Sequence, residues 1–336
     1  MATIKEVAQR AGVSVTTVSR VLNGHPNVSN RARKKVLAVV EEQGYEPNGN
    51  ARYLKAQART PIAIFVKGSR NMLFFELLEE IEFRLAASGE DAQVNYLDED
   101  ENEVKRALDF QRIRNPKGII FLGGDPDYFK ESFAEVTAPS VLITNSAAGL
   151  GFSNLSSVRT DDAAAARCAI DELVGAGHKR IGIVGGNRVS GQISGIRANA
   201  AADELGRCGL EFDFDRDYCP GHYTMDDGYL AIEHLLRRAP DITAVFALSD
   251  VIALGCVRAA KDMGLSVPED LSIVGFDGID LARFSVPRLT TIQQDTHKLA
   301  CYGVDTILAA INGELTEPAH YSVPFTILKR ESVRRL

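Results

Sequence analysis

Three places along the chain bring carboxylates to the end of a strand-like run. SSVRT leads into Asp161-Asp162, AVFAL into Ser249-Asp250, and SIVGF into Asp277. In an open parallel sheet, ligands bind beyond the carboxyl ends of the strands. Short acidic side chains at three such exits, all read as belonging to a second lobe, suit a ligand rich in hydroxyl groups, such as a sugar. The plainer alternative is that Asp162 and Asp250 cap the helices that follow them. A different question is raised by GVSVTTVSRVLNG (12–24). Its helix opens on Val15, Thr16 and Thr17, half apolar and half hydroxyl, an edge that either packs inward or touches something outside the protein.

Enzymatic constellations are missing from the text. It holds no G-x-S-x-G elbow, no Walker A loop and no H-E-x-x-H. The glycine-bearing GGNRVSGQISG (185–195) follows a strand-like run without matching the dinucleotide fingerprint. His178, in GHKRI just before a strand, reads as a turn residue rather than a general base. Five cysteines, odd in number and widely scattered, give neither a disulfide framework nor a zinc site and read as buried free thiols. A binding protein with no metal and no cofactor is the expectation.

The elements that must position these residues are legible. Ile4, Val7, Ala8 and Ala11 fall at helical spacing, and Gly12 breaks the pattern. Ser14 then caps a second helix with Val18, Val21 and Leu22 inward, ending at Asn23-Gly24. A third helix from near Ser29 buries Val36, Leu37 and Val40. Two helices joined by a tight glycine turn and buttressed by a third make a helix-turn-helix unit, here residues 1–46. Residues 47–60 are a linker with too few apolar groups to fold alone.

From residue 62 the chain alternates strands and helices. Strands are expected at 62–66, 93–97, 118–123, 140–144, 180–185, 244–248 and 272–276, with helices at 74–88, 163–176, 226–238 and 251–264. Continuous apolar strands imply parallel sheets covered on both faces, and their number implies two doubly wound α/β lobes. The effector-binding core is 61–336, its first lobe 61–159 with 293–322 and its second 160–292 with 323–336. Charge divides in the same way. Residues 1–60 carry a net +6 within a chain of net −7, a basic module on an acidic body. No apolar run spans a membrane and no signal-peptide centre is present, so the protein is placed in the cytoplasm.

The stretches TIKEVAQRAGVSVTTVSRVLN, GYEPN and ARYL resemble the N-terminal pattern of the LacI/GalR family of bacterial transcription regulators. GHKRI, ALSD, VPEDLSIVGFD and PRLTTIQQD extend the resemblance over the rest of the chain. The resemblance implies a homodimer on a roughly palindromic operator in double-stranded DNA, with the second helix in the major groove. It assigns base reading to Val15, Thr16 and Arg20, where arginine can hold guanine by two hydrogen bonds. Thr3, Ser14, Thr17, Ser19 and Asn23 join them as DNA contacts, the hydroxyls and amide holding phosphates. Asn48, Ala51 and Leu54 match a hinge helix, Leu54 as the minor-groove wedge, with Gly49 disfavouring order in the free hinge.

For the core, the resemblance implies a periplasmic-binding-protein-like pair of lobes around an effector. It points to Phe75, Asp161, Gln192, Tyr223, Ser249, Asp250, Asp277 and Gln294. Gln192 stands where many members carry arginine, Ser249 where asparagine is frequent, and Asp277-Gly278 where Asp-Asp is common. These departures imply a repacked pocket. The function implied is a repressor of carbohydrate-use genes controlled by a small carbohydrate effector, with a nucleoside or purine-type metabolite as the alternative. A transported-sugar binding protein and an α/β enzyme with a DNA anchor are the rival classes. The first is disfavoured by the basic head.

Overall fold

The computed structural model describes residues 4–22, 28–43, 60–68, 71–188 and 192–336. The chain forms two compact units, Met1–Arg59 and Thr60–Leu336. In the first unit, α1 (Ile4–Ala11), α2 (Val15–Leu22) and α3 (Asn30–Gln43) enclose Val7, Ala8, Ala11, Val18, Val21 and Val36. Gly12 at φ +65° makes the left-handed turn that ends α1, and the Val13 N–H reaches the Ala8 carbonyl at 3.1 Å. The third helix departs from the expected pattern at one place. Leu37 is 47% exposed, while Val39 and Val40 pack inward with Val36, because the inward face of α3 lies a hundred degrees of helical rotation away from Leu37.

The second unit runs β1 (Ile62–Lys67), α4 (Met72–Ala87), β2 (Ala92–Leu97), α5 (Glu103–Arg114), β3 (Gly118–Leu122), α6 (Pro126–Ser132), β4 (Ser140–Ile143) and β5 (Leu155–Thr160). It continues with α7 (Asp162–Gly175), β6 (Ile181–Val184), α8 (Ile193–Arg207), α9 (Phe214–Asp217), β7 (Tyr218–Cys219), α10 (Met225–Arg238), β8 (Ala244–Ala247), α11 (Asp250–Asp262) and β9 (Ser272–Asp277). Last come α12 (Leu281–Phe284), β10 (Thr290–Gln294), α13 (Thr296–Ile311), β11 (His320–Val323) and β12 (Phe325–Leu328). Two six-stranded sheets result, ordered β11-β5-β4-β3-β1-β2 and β12-β10-β9-β8-β6-β7. Every pairing between these strands is parallel except β10 with β12.

The chain passes between the sheets three times, after β5, after β10 and after β11. One sequence expectation changes here. β5 pairs with β4 in the first sheet, so Asp161 leaves a strand of the first lobe rather than of the second. The apolar run YSVPFTILKR holds two strands. Pro324 lacks an amide proton and divides it, sending β11 to the first sheet and β12 to the second.

The sheet interiors are filled as the sequence implies: β1, β3 and β4 are buried over nearly their whole length, as are β6, β8 and β9. His178 is buried between strand starts, its ring nitrogens 2.9 Å from the Thr243 and Ser272 hydroxyls, so its role is to tie β6, β8 and β9 together. All five thiols are free, but only Cys219 and Cys256 are buried, and Cys208 is exposed.

Candidate functional site

The N-terminal unit presents its second helix with the leading edge outward. The Ser14 hydroxyl accepts from the Thr17 N–H at 3.2 Å and lies 2.9 Å from the Thr17 hydroxyl, which fixes where α2 begins. Val18 and Val21 are buried, whereas Val15 is 40% exposed and Thr16 and Arg20 are exposed beside it. Because i, i+1 and i+5 fall within one sector of a helix, these three side chains form a single outward patch of one methyl-bearing, one hydroxyl-bearing and one guanidinium group. Thr3, Asn23, Asn48, Ala51 and Leu54 lie outside the described residues, as does the Ser19 side chain.

In the core, the strand exits of both sheets enclose a cleft of about 750 Å³ counted out to its mouth. The second lobe contributes Gln192, Arg197, Tyr223, Asp277 and Gln294; the first lobe contributes Lys67, Asn71, Phe74, Glu99, Asp125 and Thr144.

At the centre is Asp277, 2% exposed, with backbone φ at +115°. Its Oδ1 accepts from Gln294 Nε2 at 2.9 Å and lies 3.7 Å from Arg197 Nη1; its buried Oδ2 has no hydrogen-bond partner among the described residues. Burial pushes the carboxyl pKa up to about 7, against the pull of Arg197 and the Gln294 bond. The Tyr223 hydroxyl is also buried without a partner among the described residues, and burial raises it. Thr144 faces the same cleft from the first lobe at φ +79°, so each wall holds a non-glycine residue in a strained conformation. Buried unpaired polar atoms and strained backbone converging on one cavity are what a ligand site leaves in a fold.

Arg197 is 3% exposed. Its Nε donates to Asp162 at 2.8 Å, Nη1 donates to the Leu248 carbonyl at 2.7 Å, and the guanidinium stacks 3.6 Å from the Phe276 ring. Burial works against its charge, but Asp162, Tyr223 and Asp277 together hold it protonated. Across the cleft, Lys67 Nζ donates to Glu103 at 2.6 Å, and the other Glu103 oxygen accepts the Asp125 N–H at 2.6 Å. The two walls are joined by Gln192 Nε2 donating to Asp125 at 2.8 Å and by the Tyr223 N–H donating to Glu99 at 3.1 Å.

Of the eight core residues singled out from sequence, the structure brings Gln192, Tyr223, Asp277 and Gln294 together in the cleft. The other four lie outside its lining. Phe75 is 53% exposed, while its neighbour Phe74 lines the cleft, because one residue along α4 turns the side chain through a hundred degrees. Asp161 caps α7 through the Ala164 N–H at 3.0 Å, and Ser249 caps α11 through the Ile252 N–H at 3.2 Å. Asp250 is fully buried behind the site. Its carboxylate accepts from the Thr291 hydroxyl (2.6 Å) and from the N–H groups of Gly278 (2.7 Å) and Ile279 (2.9 Å), holding the turn that carries Asp277.

Sequence reasoning missed Lys67, Asn71, Glu99, Asp125 and Thr144, although the rule of strand exits, applied to β1 through β4, leads straight to them. Arg197 left no such signal, since an arginine within a helix reads as solvent-facing. It returns a guanidinium to the pocket that Gln192 was taken to have lost. Among the described residues, two groups could offer a metal three ligands, Glu80 with His297 and Cys301, and Asp171 with Glu204 and Cys208. At the first, Arg84 already supplies the cation, donating to Glu80 at 2.6 Å.

A three-helix unit of this kind, followed by two α/β lobes around a polar cleft, defines a ligand-responsive DNA-binding regulator. Residues 3–48 match the family model of bacterial regulatory proteins, lacI family, and residues 170–333 match a periplasmic binding protein-like domain. The chain is 33% identical to the HTH-type transcriptional regulator MalR of Clostridium butyricum, over 98% of each chain. It superimposes on a transcriptional regulator CelR–cellobiose complex (TM-score 0.71, 27% identity, 99% and 100% of the chains covered). It also superimposes on the lac repressor dimer bound to operator and the anti-inducer ONPF (TM-score 0.78, 25% identity, 99% of each). The chain belongs to the lacI family of bacterial regulatory proteins. It is a DNA-binding transcription regulator.

Proposed function

We propose that this protein is a homodimeric cytoplasmic repressor of carbohydrate-use genes whose effector, a sugar or sugar derivative, binds between the two lobes of the core. The observation that carries the reading is a pair of buried oxygens, Asp277 Oδ2 and Tyr223 Oη, without partners among the described residues, in a cleft also edged by Asn71, Asp125 and Gln192. A carboxylate oxygen, a phenol and amides are the partners that vicinal hydroxyls require, and Phe74 and Tyr223 offer apolar faces to a sugar ring. Similarity to MalR and to the cellobiose complex supports the same class. Val15, Thr16 and Arg20 read bases; Ser14, Thr17 and Ser19 hold phosphates, with Thr3 and Asn23 beside them, and Asn48, Ala51 and Leu54 form the hinge contact.

The effector shifts the lobes only by binding one arrangement more tightly than the other, so the cross-cleft bonds Gln192–Asp125 and Tyr223–Glu99 are where its effect is felt. The test is a gel-shift on palindromic operators with and without a panel of mono- and disaccharides. Binding is expected to weaken steeply with salt, because cationic side chains displace phosphate counterions. One sugar is expected to change operator affinity at least tenfold. Operator binding unmoved by every sugar would defeat the carbohydrate reading while leaving the DNA-binding assignment intact.

A further inference from the structure

The charge of the cleft and its mouth is one-sided. Among the described residues its two cations, Lys67 and Arg197, are each held by a buried carboxylate, Glu103 at 2.6 Å and Asp162 at 2.8 Å, both nearly inaccessible to solvent. What faces the cavity beyond those pairs is Glu99, Asp125 and Asp277. Gly68, Asn71, Glu99 and Tyr223 line the cleft and also a second chamber of about 780 Å³, so the two are continuous. The outer chamber adds Asp98, Asp100, Asp226 and Asp227, with His222 as the single basic side chain among the described residues that line it. His222 sits 3.2 Å from Asp227 and 3.5 Å from Asp100, and the carboxylates around it raise its pKa.

We infer that this acidic mouth and the acid-rich cleft behind it are an electrostatic filter, admitting uncharged polyhydroxylated or cationic ligands and refusing those that carry phosphate or carboxylate. The inference rests on the reading of the cleft as the effector site. A hydroxyl donates to a carboxylate and gains a charge-assisted bond. A phosphate entering the same space loses its hydration and meets like charges, and the low-dielectric walls of a cleft strengthen that repulsion. Asp277 adds a buried oxygen for a ligand hydroxyl, its Oδ2 having no hydrogen-bond partner among the described residues.

The first test needs no knowledge of the effector. Gln192→Cys, placed in the full chain with Cys208→Ser to remove the exposed thiol, is modified with cationic and anionic methanethiosulfonates, and the rate at the introduced thiol is read by peptide mass spectrometry. The cationic reagent is expected to be favoured at least tenfold relative to the ratio at free cysteine. That preference should collapse in high salt and in Asp100→Asn with Asp226→Asn, both on the exposed rim. An unchanged or inverted ratio overturns the filter, as does a preference untouched by the rim variants.

The second test is calorimetry on the full chain with matched pairs: cellobiose and cellobionate, ribose and ribose 5-phosphate, adenosine and its monophosphate. Within the pair that binds, the uncharged member is expected to bind at least thirtyfold tighter. Equal or tighter binding of the anion overturns the filter. A panel in which no neutral member binds defeats the carbohydrate reading, and the thiol rates still decide the filter.

Discussion

Gln294, the last residue of β10, donates to Asp277 at 2.9 Å and accepts the Thr160 hydroxyl at 2.8 Å. One amide thereby links the final residue of a first-sheet strand to the acid at the centre of the cleft, beside two of the three passages between lobes. Gln294→Leu removes both bonds and leaves the buried Asp277 without its remaining neutral partner. A stability loss of about 1–3 kcal/mol is expected from the orphaned groups. Effector affinity should fall more than operator affinity, as read by thermal melts alongside calorimetry and gel-shifts. Equal losses in both would place Gln294 in general folding rather than in the site.

Asp277 makes stability depend on pH in a defined direction. Its folded pKa, about 7, lies above the ordinary 3.8, so the folded protein holds a proton that the unfolded chain releases. The stabilisation is therefore present in full below pH 4 and is lost as pH rises towards 7. Asp162, Asp250 and Glu103 are raised by burial in the same sense, so the informative quantity is the difference from a variant. Asp277→Asn cannot ionise, and its stability relative to the parent should improve steadily between pH 4 and pH 7 and level off above, in denaturant titrations. A constant difference across that range would show that Asp277 titrates normally.

Gly278 follows Asp277 in a turn that leaves no room for a side chain. At φ +78° a Cβ on this residue would stand 2.6 Å from Gln293 Cα, a backbone atom that cannot swing away. Gly278→Ala is expected to cost more than about 2 kcal/mol, by combining backbone strain with a steric clash. A melting temperature within a degree or two of the parent would show that the turn is looser than its geometry.

Arg197 carries three charged or polar contacts that no other residue can supply together. Arg197→Ala strands Asp162 in the interior and should destabilise the core by about 3–5 kcal/mol. Arg197→Lys keeps the charge but forfeits the forked donors and the stacking on Phe276. It is expected to fold and yet to bind effector at least tenfold more weakly. Wild-type affinity in the lysine variant would restrict Arg197 to balancing charge.

At the DNA-reading helix, exchanging Val15 and Thr16 together should change which operator is preferred without unfolding the unit, since neither side chain is buried. Arg20→Ala should lose about 1–3 kcal/mol at one guanine position. Randomised-site selection on the variants gives the answer, with circular dichroism as the folding control. An unchanged preference would mean that the reading edge lies elsewhere on the helix.

What the sequence by itself determined follows from local physics. Apolar period and turn chemistry set the three N-terminal helices and the alternating strands. The rule of strand exits found Asp277 directly, because a carboxylate directly after a buried strand has few other places to be. Which neighbour of a pair faces the ligand was decided only by tertiary structure. Phe74 rather than Phe75 lines the cleft because the rotation of α4 is fixed by what it packs against. Asp250, equally well placed in sequence, is used up holding the Asp277 turn, since two N–H groups of the turn after β9 and the Thr291 hydroxyl of β10 converge on it. Arg197 became a pocket residue only when α8 laid it over Phe276 beside Asp162. Pairings between residues far apart in the chain are set by packing, and no local pattern encodes them.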